Sequence, residues 1–83
     1  MPMFDFGDGP VPAHRHPNGG GWVADTTFVA DTAYVGPNAR VYGNARVHDN
    51  ARLYDNVQVF GDAVVCADDL IFGNTWVYGH GRG

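Results

Sequence analysis

The densest group of side chains able to do chemistry is His14, Arg15, His16, Asn18, the run Gly19, Gly20 and Gly21, and Trp22. Arginine presents a planar fork of donors to a phosphate, and a glycine run lets backbone N–H groups converge on an anion. The Trp22 ring can stack on a flat heterocycle. Together they describe a pocket for a small anionic, nucleotide-like ligand. The run is not a P-loop, because the Lys and the Ser or Thr of that motif are missing. His14 and His16 are two apart, so an extended segment presents both rings to one side, where they could share a metal ion. Two ligands are too few for a structural zinc site. Asp5, Asp8, His80 or a second copy would have to complete it, and no metal or cofactor is assigned. The plain alternative is that residues 1 to 22 simply cap the rest of the chain.

Composition narrows the chemistry further. The 83 residues contain no Lys, no Glu and no Ser. A serine nucleophile, a Schiff-base lysine and a glutamate acid or base are therefore excluded, and no catalytic residue is assigned. The net charge of −4 argues against a nucleic-acid polymer as partner. No apolar run approaches the roughly 20 residues of a membrane span. The start, MPMFDFGDGP, lacks the basic and apolar regions of a signal peptide. The expectation is a cytoplasmic protein that touches no membrane. One cysteine, Cys66, allows no internal disulfide.

The element that must position these residues is a repeat. A branched aliphatic recurs every six residues at Val23, Val29, Val35, Val41, Val47, Leu53, Val59, Val65, Ile71 and Val77. Four residues after most of these stands a small or β-branched side chain: Thr27, Ala33, Ala39, Ala45, Ala51, Val57, Ala63 and Thr75. Asp69 breaks that column. Turn formers such as Asn38, Asn44, Asn50, Asn56, Asp62 and Asn74 fall between. A period of six is incompatible with a helical period of 3.6. It describes a strand and a turn, with two side chains per hexad pointing inward. Residues 23 to 83 are thus one all-β unit of ten repeats. Residues 1 to 22, with Pro2, Pro10, Pro12 and Pro17, read as an irregular arm.

The hexads VGPNAR, VYGNAR and VHDNAR resemble the hexapeptide-repeat family of left-handed parallel β-helices, over about 60 residues. HRHPNGGGWVAD leading into them resembles small bacterial and prophage-type members of that family. The resemblance implies about three triangular coils of three hexads, with residues 18 apart stacked. It also implies a homotrimer, the common state of such proteins. Many relatives are acyltransferases with a histidine base, a role that only His48 is placed to take. The long substrate loop of those enzymes is missing here.

Stacking at intervals of 18 assigns three outer faces. The first carries Trp22, Ala24, Arg40, Tyr42, Gln58, Phe60, Trp76 and Tyr78. The second carries Phe28, Ala30, Arg46, His48, Val64, Cys66 and Arg82. The third carries Tyr34, Gly36, Arg52, Tyr54, Leu70 and Phe72. So small a core favours association. Contiguous apolar columns mark the surface for it, and the expected oligomer interface is Tyr42, Phe60, Trp76, Tyr78, Leu70 and Phe72. The functional expectation is a non-catalytic oligomeric module that captures a small anionic ligand through its arm. The alternatives are a structural or protein-interaction part, such as a phage appendage or inhibitor, and an acyltransferase.

Overall fold

Strand β1 (Met3–Asp5), β2 (Pro10–Arg15) and β3 (Trp22–Ala24) open the chain. Then follow β4 (Phe28–Val29), β5 (Tyr34–Val35), β6 (Arg40–Val41), β7 (Arg46–Val47), β8 (Arg52–Leu53), β9 (Gln58–Gly61), β10 (Val64–Val65), β11 (Leu70–Ile71) and β12 (Trp76–Gly79). This computed structural model describes residues 2–7, 9–65 and 70–79. Asp8, Cys66, Asp69, His80 and Arg82 lie outside the described residues. No helix occurs among the described residues, and the fold is all-β.

From β3 onward each short strand ends at a turn, and the chain visits three sheets in rotation. The sheets are ordered β1-β2-β3-β6-β9-β12, β4-β7-β10 and β5-β8-β11. Within the repeat every pairing is parallel and offset by 18 residues: Val23 beside Val41, Val29 beside Val47, Val35 beside Leu53. The period of six sets that offset, since three hexads bring the chain back beside itself. The register therefore stacks like on like. Val23, Val35, Val41, Val47, Leu53, Val59 and Val65 are all buried, as are Ala33, Ala39, Ala45, Ala51, Val57 and Ala63. These inward positions are the core; Val29, Ile71 and Val77 pack against it partly buried and Thr75 is exposed, while the outer faces divide as the spacing predicts. Asp49 and Asp55 take left-handed backbone at the corners, with φ of 57° and 56°, a conformation that Asp tolerates better than most residues.

The arm departs from the expectation of irregular structure. β1 and β2 form an antiparallel pair, and β2 pairs antiparallel with β3 through Ala13–Ala24, His14–Val23 and Arg15–Trp22. The prolines do not prevent this, because they alternate. The Ala13 N–H donates to the Pro2 carbonyl, so the nitrogens of Pro10 and Pro12 point to the opposite side of β2, where β3 has ended. There Pro12 needs only its carbonyl, which accepts from the Asp25 N–H at 2.9 Å. Proline is admitted to strands at such donor-free positions.

Candidate functional site

The arm residues singled out by the sequence meet beside the first repeats, but they do not face one way: His16 and Gly21 are buried, while His14, Arg15 and Asn18 are exposed. His16 is 3% exposed, and its Nε2 lies 2.9 Å from the Ala33 carbonyl oxygen. A carbonyl can only accept, so Nε2 carries the proton. His16 is thus a plug over the end of the core. The Gly20 N–H donates back to the His16 carbonyl and the Gly21 N–H to the Val35 carbonyl, both at 3.0 Å, while the Val35 N–H donates to Asn18. Two of the three glycine amides are therefore spent on the cap. A β-carbon at Gly19 would run into the Val35 carbonyl, and one at Gly21 into the Gly36 carbonyl and Val35 Cγ1. These glycines are there because backbone packs on backbone.

His14 and Arg15 point elsewhere. His14 Nδ1 lies 2.7 Å from the Asp25 carboxylate, with both side chains about half exposed. His14 and His16 thus have separate partners and do not converge on a common ion. Arg15 donates to the Gly20 carbonyl at 3.3 Å, and its guanidinium sits 4.9 Å from the centre of the Trp22 ring. Phe4 stacks on the same indole at 4.8 Å. Trp22 is accordingly in contact with a phenyl and a guanidinium of its own chain. Asn18 is exposed. His16→Ala is expected to lower stability by about 1–3 kcal/mol, by orphaning the Ala33 carbonyl and opening the core end. Urea unfolding checks this, and an unchanged midpoint would show that the plug is idle.

The feature that does assemble is an aromatic ladder along the six-stranded sheet. Phe6 stacks on Tyr42 at 4.8 Å, Tyr42 on Phe60 at 5.2 Å, and Phe60 on Tyr78 at 5.6 Å. Trp76 meets Phe60 edge-on at 6.2 Å. The stacking follows from register, since residues 18 apart sit one strand spacing apart. The arm covers the first half of the ladder. Phe4 lies over Trp22 with Arg40 5.2 Å from its ring, and Phe6 lies over Tyr42. Tyr42 is half-buried, with the chain's own Phe6 stacked on it.

Trp76, Tyr78, Leu70, Phe72 and Val64 are each more than half exposed, and together they spread over the last strands of all three sheets. Phe60 stays half-buried among its ring neighbours. Val64, which the 18-residue stacking places on the second outer face, adjoins this surface. His48, the remaining histidine of interest, is half-buried against Phe28 at 5.2 Å between ring centres. Arg46 and Arg52 are exposed, and among the described residues the one basic–acidic side-chain contact within 4 Å is His14–Asp25. Asp31, Asp49 and Asp62 are exposed as well. Charges of both signs thus stand apart on the surface. Among the described residues no helix is long and apolar enough to cross a membrane.

No family model, curated protein or solved structure matches the chain.

Proposed function

We propose that the three sheets are the sides of a left-handed parallel β-helix, and that this prism is a non-catalytic, self-associating binding module. The pairing offset of 18 residues supports a coil of three hexads, and the likeness of VGPNAR and its neighbours to hexapeptide repeats supports the hand. One observation carries the function: an aromatic ladder whose first half is sealed by the arm and whose second half opens into an apolar surface around Trp76, Tyr78, Leu70 and Phe72. The rings of Phe6, Tyr42, Phe60 and Tyr78 stack on one another, so ring faces are already engaged within the chain. Such a surface suits a protein contact better than a sugar or a base, which needs an open ring face.

The occupant is a second copy of the chain. Among the described residues no carboxylate pairs with Arg46 or Arg52, and Asp31, Asp49 and Asp62 are exposed, so the surface carries charges of both signs that a second copy can match as well as its apolar surface. A trimer is the expected closed form. A small anionic ligand remains a second reading on one observation, the exposed Arg15 guanidinium held over Trp22. Its Gly20 contact occupies one of five donors.

Native mass spectrometry tests both readings. The wild type is expected as an oligomer, and Phe72→Asp combined with Trp76→Asp as a folded monomer with the same circular dichroism. A wild-type monomer at about tens of micromolar, the range in which even a weak complex forms, would remove the self-association reading. A stoichiometric small adduct, lost in Arg15→Ala, would favour the ligand instead.

A further inference from the structure

The first two hexads of the coil are near copies, WVADTT and FVADTA. They also fold alike. The Thr26 hydroxyl donates to the Gly43 carbonyl and the Thr32 hydroxyl to the Asp49 carbonyl, each 17 residues on. Thr27 N–H donates to Ala24 and Ala33 N–H to Ala30. The first copy is occupied by the arm. Strand β2 lies antiparallel on it, with Ala13 opposite Ala24, His14 opposite Val23 and Arg15 opposite Trp22. Three features fix that docking: Arg15 over the Trp22 ring, His14 against the Asp25 carboxylate, and the main-chain ladder.

The second copy presents the same set of features uncovered. Phe28 stands in the place of Trp22 and is 52% exposed. Asp31 stands in the place of Asp25 and is exposed, and Ala30 in the place of Ala24. β4 is the terminal strand of its sheet, paired only with β7 among the described residues. Phe28 and Ala30 direct their N–H groups to β7, so the alternation of a strand turns the N–H and C=O of Val29 outward. The equivalent groups elsewhere are both engaged: Val23 lies opposite His14 on β2, and Val35 bonds Asn18 and Gly21. Of three matching edges at this end of the repeat, two are closed by the arm, and among the described residues nothing pairs with the β4 edge.

We propose that the β4 edge, Phe28 to Asp31, is a strand-addition site for an extended partner segment of the pattern small residue, His, Arg. The segment lies antiparallel, its His opposite Val29 and bonded to Asp31, its Arg over Phe28. Backbone bonds to Val29 hold it, and the side-chain contacts choose it. The carboxylate of Asp31 supplies the charge complement to the basic segment, as Asp25 does for His14. The site is distinct from the apolar surface of the last coil and does not depend on self-association there.

The test is a titration of the full chain, labelled with nitrogen-15, with the acetylated and amidated peptide Val-Pro-Ala-His-Arg-His. Saturable shifts are expected at the amides of Phe28, Val29, Ala30 and Asp31. Methylating the backbone nitrogen of the peptide's first His should abolish them, because that N–H faces the Val29 carbonyl. Asp31→Asn and Phe28→Ala should each weaken binding about tenfold. Shifts at β3 instead of β4, equal binding by the methylated peptide, or no shift at all would overturn the proposal. So would shifts at β4 that follow protein concentration without peptide, since the occupant would then be a second copy.

Discussion

Gly19→Ala is expected to lower the unfolding free energy by about 2–4 kcal/mol, a large part of what a small domain has. Its backbone has φ of 112°, which an L side chain rarely adopts, and the new β-carbon would overlap the Val35 carbonyl oxygen. Relief would require the segment to lift from β5, and lifting breaks the Val35–Asn18 and Gly21–Val35 bonds together. The His16 plug is drawn out with it, since the Gly20 and Gly21 backbone groups bond His16 directly. Gly20→Ala is the control. Its φ of 82° is unfavourable too, but a β-carbon there meets nothing within 4 Å, so the smaller loss isolates strain from collision. Urea unfolding read by tryptophan fluorescence separates the two. Equal losses at both positions would mean that the collision is relieved by easy movement and that the cap is soft.

Leu53→Ala is expected to cost about 2–5 kcal/mol. Leu53 is the largest of the fully buried side chains, with 0% exposure, and it sits in the middle of its column between Val35 and Ile71. The sheets around it are tied by ladders on both sides, so the walls cannot close on the cavity. Leu53→Met, which keeps the volume, should cost less than about 1.5 kcal/mol. Thermal unfolding of the pair decides the matter. If alanine and methionine behave alike, the core tolerates voids and packing does not set its register.

Sequence periodicity carries the body of the fold because inward position, strand spacing and register are all consequences of one number. Once Val23, Val41, Val59 and Val77 are seen to recur at 18, the sheet that joins them is determined. The arm was harder to read. Pro10 and Pro12 argue against a strand by composition, and only the side to which each nitrogen points shows why β2 forms. The glycines mislead in a similar way. A run that admits an anion and a run that admits a neighbouring backbone are the same three letters, and it took the approach of Val35 and Gly36 to tell them apart. His16 belongs to the same class: a polar side chain beside Arg15 in sequence, yet turned into the core by a single carbonyl partner. The aromatic columns were legible, but not that Phe4 and Phe6 would return to cover Trp22 and Tyr42.

The two ends of the described coil are finished differently. At the first three hexads Val23 and Val35 are sealed by the arm and, of the aliphatics, Val29 alone is partly buried, while at the last strands both Ile71 and Val77 remain only partly buried. If stability is shared between stacked neighbours, as in the proposed β-helix, opening is expected to start at the last strands and advance toward the arm. The apolar surface around Trp76 and Phe72 lies at that same end. Self-association would therefore lock the strands that open most readily, and protein concentration would set how far the array is zipped. Folding of the last coil and assembly of the oligomer then become a single equilibrium.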